Sequence, residues 1–204
     1  MELTVAEVAK LAGTTPRQVQ RAITNGTLAL GRQVGRAQLV DDVAALIWRR
    51  SVARGRRWTP QVRLAAFGLL ESKTTELLTS SERSRLRTKL RSMTAVEFAH
   101  SAGGVGGAWA RYRQVDDQLH SAAPLDLWDE GMVGDHPMRL ATTEHLTSFE
   151  QVNLVLPDAD GGLGVIEREP DDRLARRLLD GYLLGNSRTS AAAGAEIESK
   201  LRNV

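Results

Sequence analysis

Two helix-start signals lie close together at the beginning of the chain. Thr4 is followed three positions later by Glu7, and Thr15 is followed three positions later by Gln18. Each pair predicts a capping box, in which the Thr hydroxyl accepts a bond from the first helical turn and the Glu or Gln side chain accepts one from the Thr N–H. With Gly13 between them, the two signals predict two short helices joined by a tight turn, which is a helix-turn-helix arrangement.

The second of these helices is predicted to be amphipathic. Val19, Ala22 and Ile23 recur at helical spacing, and Asn25-Gly26 ends the run. The polar side chains must therefore project from the opposite face, and arginine and glutamine are residue types that hydrogen-bond base edges in the major groove of DNA. The side chains expected on that face are Arg17, Gln18, Gln20 and Arg21.

A hairpin is predicted after the two helices. Short apolar stretches between Leu28 and Val40 flank the segment Gly31–Arg36, whose glycines and arginines are typical of a turn with a basic tip. Arg32 and Arg36 are its candidate DNA contacts. Asp41-Asp42 then opens a third helix, so residues 1–50 are predicted to be a winged helix-turn-helix domain.

This N-terminal segment resembles the excisionase-type and MerR-type DNA-binding domains. The resemblance covers about residues 2–48, and the matching residues are Leu3-Thr4, Glu7, Ala9, Val19-x-Arg21-x-Ile23, Gly26-x-Leu28, Gly35-Arg36 and Leu39-Val40. It implies that the second helix enters the major groove and that the wing reaches the adjacent backbone or minor groove. By matching position it implies DNA contacts from Thr15, Arg17, Gln18, Gln20, Arg21 and Arg36.

Positive charge is concentrated in the first part of the chain. Residues 1–113 contain 19 Lys/Arg and 8 Asp/Glu, whereas residues 114–204 contain 8 and 17. We expect the basic part to meet a polyanion and the acidic part to meet a different partner, such as a basic protein. The arginines between Trp48 and Trp58 would run along DNA phosphates, or they belong to a solvated linker. They are Arg49, Arg50, Arg54, Arg56 and Arg57.

Residues 51–102 are predicted to be this basic linker followed by helices. A helix that begins at Thr59-Pro60 is apolar nearly all round, which indicates burial against several neighbours. Capping boxes at Thr79–Glu82 and Thr94–Glu97 open two more helices. The first of these carries a basic outer face that either lies on DNA or is solvated, and its cations are Arg83, Arg85, Arg87, Lys89 and Arg91.

The stretch from Arg57 to about Met93 is similar to helix-turn-helix proteins of actinobacterial type. The matching residues are Pro60, Ala66, Leu69-Leu70 and Ser81–Arg87. Such proteins are commonly encoded beside a nucleotidyltransferase-like toxin, in the manner of AbiE-type antitoxins. The resemblance implies an antitoxin that represses its own operon and neutralises the toxin by direct binding.

Residues 103–204 are predicted to form an acidic α+β domain that binds a partner or mediates dimerisation. The predicted elements are a helix over 109–119, strands over 152–156 and 163–166, a leucine-rich helix from Asp171 and a last helix over 191–201. The leucine-rich helix suits either a core or a partner surface. The whole chain is therefore predicted to be mostly α with small β elements, an α+β fold.

The sequence contains no recognisable catalytic or metal-binding constellation. Gly103–Gly107 lacks the Lys-Ser/Thr of a phosphate loop, so a flexible linker is favoured. Asp158 and Asp160 have the spacing of nucleotidyltransferase carboxylates, but the customary Gly-Ser before them is missing. The four histidines share no metal-ligand spacing, and cysteine is absent. We therefore expect no enzymatic activity, no metal and no cofactor.

The expected function is sequence-specific regulation of transcription in the cytoplasm. The expected partners are double-stranded DNA, a cognate toxin and a second copy of the chain. A membrane is not expected, because no apolar run approaches the roughly 20 residues that a membrane span needs. The alternatives are an excisionase-like architectural factor, a regulator with a ligand-binding C-terminal domain, and an enzyme fused to a DNA-binding module.

Overall fold

The helix signals and β-prone stretches of the sequence form an α+β fold in the computed structural model, and this confirms the predicted class. The structure describes residues 2–53, 55–72, 74–107, 109–115, 118–124, 139–153, 155–158, 161–169 and 171–204. Within these residues the chain forms nine helices and eight strands, and the strands belong to two small sheets.

Contacts between residues divide the described chain into two compact units. Unit 1 comprises residues 2–49, 106–124 and 139–169, and unit 2 comprises residues 50–105 and 171–204. This division differs from the predicted segments 1–50, 51–102 and 103–204. The strands of the last predicted segment belong with the N-terminal helices, and its two C-terminal helices pack with the middle of the chain.

The first two helices of unit 1 form where the capping boxes predict them. α1 spans Val5–Ala12 and α2 spans Pro16–Thr24, and both capping boxes are closed by hydrogen bonds. Gly13 ends α1 in the left-handed conformation, with a φ of 62°, which residues with a Cβ rarely adopt. The turn is therefore as short as the sequence indicates, and Val8 and Val19 are fully buried.

A three-stranded antiparallel sheet packs with these helices. Its strands are β1 (Glu2–Thr4), β2 (Arg32–Val34) and β3 (Ala37–Asp41), in the order β1-β3-β2, and α3 (Asp42–Arg49) follows directly. Gly35 occupies the first position of the two-residue hairpin loop with a φ of 59°, as primed hairpin turns require. The sequence predicts this hairpin but not β1, because three residues are too few to show a strand period.

A five-stranded sheet forms the rest of unit 1. Its strands are β4 (Trp109–Gln114), β5 (Ala123–Pro124), β6 (Arg139–Thr143), β7 (Val155–Pro157) and β8 (Leu163–Glu167). They lie in the order β5-β6-β8-β4-β7, with β6 and β8 parallel and the other described pairs antiparallel. α7 (Leu146–Val152) covers one face of the sheet. There the Tyr112 and Phe149 rings pack with their centroids 5.4 Å apart.

The predicted helix over residues 109–119 is wrong, because this segment contains β4. β4 lies between β8 and β7, and it is hydrogen-bonded to both. Ala110 and Tyr112 belong to the core on the α7 side, whereas the Trp109 ring lies so close to Gly164 that a Cβ there would clash with it. The local sequence pattern of this segment favours a helix, but pairing with strands that are distant in sequence makes it a strand.

The segment between β7 and β8 joins two strands that do not pair with each other. The sequence predicts strands over 152–156 and 163–166 around a turn. β8 confirms the second, whereas β7 overlaps only the end of the first, because Val152 is the last residue of α7. Because β4 lies between β7 and β8, the connection crosses the end of a central strand instead of closing a hairpin.

Within its described residues, unit 2 is a bundle of five helices. They are α4 (Pro60–Ser72), α5 (Ser80–Arg91), α6 (Ala95–Ser101), α8 (Leu174–Leu184) and α9 (Ser187–Asn203). α8 packs against α9 and α4, and α9 also contacts α5 and α6. Leu178, Leu179 and Leu183 are fully buried, so the leucine-rich helix supplies core residues to this unit.

A buried ion pair holds part of the glycine-rich segment 103–107. Arg176 and Asp180 lie one turn apart in α8, with both side chains almost fully buried and a nitrogen–oxygen distance of 2.6 Å. The Arg176 guanidinium also donates to the carbonyl oxygens of Gly104 at 3.2 Å and Val105 at 2.7 Å. The Gly104 N–H is bonded to a carbonyl oxygen of α6. The predicted flexible linker is thus fixed at these residues, and the Gly104 amide is occupied within the protein.

Three of the four capping boxes give the fold a defined response to acid. Their carboxylates, Glu7, Glu82 and Glu97, have pKa values lowered from the ordinary value, because the preceding Thr donates its backbone N–H and its hydroxyl. The backbone bond is the larger cause for Glu7 and Glu97, and the hydroxyl bond is the larger cause for Glu82. A lowered folded-state pKa stabilises the protein above the unfolded-state value, and this stabilisation is lost as the pH falls through the folded-state value.

We therefore expect the free energy of unfolding to fall from about pH 5 to about pH 3, which brackets ordinary carboxyl pKa values. The triple variant E7Q/E82Q/E97Q is expected to lose part of this pH dependence, because glutamine closes the box without titrating, as Gln18 does in the wild type. Urea unfolding followed by circular dichroism at a series of pH values measures the difference. If the free energy of unfolding changes equally with pH in the wild type and the variant, the capping boxes do not contribute to the pH dependence.

Candidate nucleic-acid interface

One face of α2 is polar and exposed along the length of the helix. Arg17, Gln20, Arg21 and Thr24 occupy positions i, i+3, i+4 and i+7, and all four are exposed. Val19, on the opposite side of the helix, is fully buried. In the part of the chain that the structure describes, the side chains of Arg17, Gln20 and Arg21 make no hydrogen bond or ion pair. The helix therefore presents two cations and an amide to solvent.

Thr15 and Gln18, two further predicted contacts, close the N-terminus of α2. Thr15 Oγ1 accepts a bond from the Gln18 N–H at 3.3 Å, and Gln18 Oε1 accepts one from the Thr15 N–H at 3.3 Å. Gln18 Oε1 also accepts from the Thr14 hydroxyl. Both side chains are exposed, but these oxygens are engaged within the helix, so Arg17, Gln20 and Arg21 are better placed for an external ligand.

The two arginines predicted to contact DNA from the hairpin differ in their surroundings. Arg36 lies at the tip, whereas Arg32 forms an ion pair with Glu2. Arg36 is an exposed loop residue next to Gly35, whose carbonyl oxygen accepts a bond from Gln33 Nε2 at 3.0 Å. Arg32 lies on β2, and its Nη2 is 2.7 Å from Glu2 Oε2 of β1. Because the Arg32 side chain is still 64% exposed, it keeps access to solvent while its charge is partly compensated.

An ion pair fixes the start of α3 to the five-stranded sheet of unit 1. Asp41 Oδ1 accepts a bond from the Ala44 N–H at 3.0 Å, and Asp41 Oδ2 accepts from Arg111 Nη1 at 2.8 Å. Arg111 also donates from Nε and Nη2 to the Gly161 carbonyl oxygen, at 3.1 and 2.9 Å. Burial raises the pKa of Asp41, against the lowering effects of the Ala44 N–H and of Arg111. The two side chains are 9% and 12% exposed, so the carboxylate depends on Arg111 for compensation.

The arginines at the end of α3 and in the segment after it divide between exposed and structural positions. Arg49 is exposed, whereas Arg50 is half-buried and its Nη1 donates to the carbonyl oxygens of Leu183 at 2.7 Å and Gly185 at 2.9 Å. Arg50 thus binds the C-terminal end of α8 and is dropped from the set of candidate DNA contacts. Arg56 and Arg57 are exposed, and Arg54 lies outside the described residues.

The segment between α3 and α4 is hydrogen-bonded to α6. This attachment is relevant to the prediction that the segment is a solvated linker. The two ring nitrogens of His100 lie 3.0 Å from the carbonyl oxygens of Ser51 and Gly55. The Trp58 N–H donates to the Ser101 carbonyl oxygen at 2.8 Å. The Arg56 and Arg57 side chains are therefore carried by backbone that is held on unit 2 at both sides.

Arg49 and Arg50 are expected to respond in opposite ways to replacement by alanine. R50A removes a charged donor from two carbonyl oxygens, so we expect the free energy of unfolding to fall by about 2 kcal/mol. R49A is expected to leave stability unchanged and, on the hypothesis that Arg49 contacts a DNA phosphate, to reduce the salt dependence of duplex binding by about one phosphate contact. Urea unfolding and anisotropy titrations measure the two effects. A destabilising R49A with a neutral R50A would contradict the assignment.

The exposed face of α2 also includes Thr24, which is not among the residues predicted from the sequence. Its hydroxyl donates to the Gln20 carbonyl oxygen at 3.0 Å, and its side chain is exposed. The available signal is its position, seven residues after Arg17, because a helix repeats its face at that spacing. Thr24 extends the polar face to the C-terminal end of the helix.

The residues considered for other chemistry have ordinary surroundings in the described parts of the chain. No group of three or more His, Asp or Glu side chains there is arranged to hold a metal ion. Asp158 lies 3.6 Å from Arg113, and His145 lies 3.6 Å from Glu167. Asp160 is outside the described residues.

Comparison with known proteins gives no relative from which a function could be transferred. No protein-family model matches the chain, and neither the curated proteins nor the solved structures contain a match. Among the described residues, none of the helices has the length and apolar character needed to span a membrane.

Proposed function

We propose that this protein is a sequence-specific, DNA-binding regulator of transcription and that residues 2–48 are a winged helix-turn-helix domain. The observation that carries the proposal is the exposed face of α2, where Arg17, Gln20, Arg21 and Thr24 are aligned. The buried side of the same helix is fixed by Val19, so the polar face is presented on a rigid element. Because the helix is already formed, its backbone loses no conformational entropy when the face binds a ligand.

The residue types on this face suit base recognition. The major groove of B-DNA is about 12 Å wide and admits an α-helix. Arginine pairs with guanine and glutamine with adenine through two hydrogen bonds each, so Arg17, Gln20 and Arg21 are the proposed base-reading residues. Arg36 at the hairpin tip and Arg49, the last residue of α3, are the proposed phosphate contacts, because both are exposed cations on the same unit.

Two copies of the domain are proposed to bind together. A single module of this size buries only about 600–1,000 Å² on DNA, which limits its affinity at physiological salt. Paired half-sites double the contacts, and their spacing then reflects the symmetry of the protein dimer. We therefore propose an operator with two related half-sites.

Selection of duplexes from a random library tests the proposal directly. The recovered sequence and a scrambled version of it are compared by anisotropy titration over a range of salt concentrations. We expect the recovered sequence to bind more tightly and the affinity to fall as salt rises. Equal affinity for the two duplexes, or no binding even in dilute salt, would refute the proposal.

A narrower proposal is that the protein is an antitoxin that represses its own operon and binds its toxin. It is supported by the resemblance over residues 57–93 and by the contrast between the basic first part and the acidic second part of the chain. The test is co-expression with the product of the adjacent gene. Co-purification and relief of growth arrest are expected, and a neighbouring integrase that needs this protein for DNA excision would favour an architectural role instead.

A further inference from the structure

A second basic surface lies on α5 in unit 2. The helix carries five cations, but they do not share one environment. Arg83 Nη1 donates to the Thr75 carbonyl oxygen at 3.1 Å, Arg91 Nε donates to the Val204 oxygen at 2.8 Å, and Arg87 is half-buried. Arg83 and Arg87 are therefore parts of the bundle, and Arg91 is tied to it through Val204 although the residue is exposed. Arg85 and Lys89, one turn apart, remain exposed.

The exposed face that contains Arg85 and Lys89 otherwise carries only hydroxyl groups. Its members follow helical spacing, and they are Ser81, Ser84, Arg85, Thr88, Lys89 and Ser92. All six are exposed, and none is acidic or apolar. The neighbouring carboxylate, Glu82, is turned back to the helix N-terminus, where it accepts bonds from the Thr79 N–H at 2.9 Å and hydroxyl at 2.7 Å.

This face continues onto the segment before α4. The Lys89 ammonium lies 5.9 Å from the centre of the Trp58 ring, and Trp58 itself packs edge-on against Phe98 with centroids 5.7 Å apart. Trp58 is preceded by Arg56 and Arg57, both exposed. Lys89 therefore lies beside the tryptophan that follows Arg56 and Arg57 in the chain, and Arg85 is one turn away from Lys89 on α5. Among the described residues none of these four cations has an ion pair, and Glu82 supplies a negative charge that interacts electrostatically with Arg85.

From this arrangement we infer that the α5 face, together with Arg56 and Arg57, binds the phosphate backbone of nucleic acid. Arginine, lysine, serine and threonine are the side chains that most often contact phosphates, and such contacts hold DNA without reading its sequence. Protein-binding hot spots centre on aromatic anchors, whereas the one aromatic ring beside this face, Trp58, is half-buried against Phe98, and the exposed members of the face carry only positive charge or hydroxyl groups. The inference rests on the proposed function for the identity of the polyanion, and it adds a second DNA contact that is independent of α2.

The test compares three charge-matched double variants of the full chain. R85A/K89A removes the helix cations, R56A/R57A removes the loop cations without altering a helix, and R188A/R202A removes two exposed cations of α9 as the control. Binding to a short labelled duplex of mixed sequence is measured over a range of salt concentrations. We expect the slope of log affinity against log salt to become shallower by about 1.8 for the first two variants, because each phosphate contact adds about 0.9. The control is expected to keep the wild-type slope.

Wild-type slopes for both R85A/K89A and R56A/R57A would overturn the inference. It would also be overturned if these variants kept their DNA binding but lost binding to a protein partner, since the face would then be a protein-binding surface. A Q20A/R21A variant measured in parallel separates the two proposals. Suppose that Q20A/R21A keeps the wild-type sequence preference, while R85A/K89A shows a shallower slope of log affinity against log salt concentration. The proposed role of α2 is then refuted, and the inference about α5 stands.

Discussion

Replacement of Gln20 and Arg21 by alanine is expected to remove most of the preference of the protein for one duplex sequence. Both side chains lie on the exposed face of α2 and make no described contact within the protein, so their loss leaves the fold unchanged. A well-placed base contact discriminates against the wrong base by about 1–3 kcal/mol. Loss of two contacts therefore lowers the specificity ratio roughly 30-fold or more. Titration with the selected duplex and with its scrambled version measures the ratio.

The matched control for this variant is Q151A/R188A. It also removes one amide and one guanidinium from exposed helical positions, on α7 and α9. We expect it to keep the wild-type specificity ratio. An unchanged ratio in Q20A/R21A, with a folded protein by circular dichroism, would exclude α2 as the base-reading element.

R111M is expected to be the most destabilising of the single substitutions considered for unit 1. It leaves the Asp41 carboxylate, which is 9% exposed, without the guanidinium that lies 2.8 Å away. Breaking a buried ion pair by removing one partner costs about 3–5 kcal/mol. The sign of the pH dependence follows from burial, which already raises the pKa of Asp41 and is no longer opposed by Arg111 in the variant. The loss of stability is therefore expected to be largest near neutral pH and to shrink as the pH falls and Asp41 is protonated.

A second substitution should rescue this variant. In D41N/R111M no charge remains buried at the start of α3, and asparagine still offers an oxygen to the Ala44 N–H, so we expect most of the lost stability to return. The matched control is R113M in the same strand, because the Arg113 side chain is 67% exposed and a surface pair of this kind contributes less than about 1 kcal/mol. If D41N/R111M unfolds as readily as R111M, the defect arises from lost packing and not from an uncompensated carboxylate.

The local signals of this sequence predict the local elements well. α1, α2, α5 and α6 begin at the threonines of their capping boxes, and the hairpin turns at Gly35. The polar face of α2 is likewise predictable, because a helix with a buried side at Val19 must expose Arg17 and Arg21. In each case the deciding contacts span fewer than about five residues, the range over which caps and turns act.

The features that the sequence does not predict depend on distant partners. β4 has a local pattern compatible with a helix, and it becomes a strand because β7 and β8, at least 40 residues later, pair with both of its edges. Arg50 belongs by composition to a basic run, and its structural role arises from carbonyl oxygens 133 and 135 residues away. The bond between Arg111 and Asp41 spans 70 residues. Neither periodicity nor capping carries information over such separations.

Amide chemical-shift mapping by NMR, with the selected duplex added to the full-length protein, tests most directly whether α2 binds DNA. We expect the largest shifts at Arg17–Thr24 and at the hairpin tip around Gly35 and Arg36, with small changes in α7. Tight binding that leaves the α2 amides unshifted and perturbs only residues outside 2–49 would contradict the proposed mode of recognition.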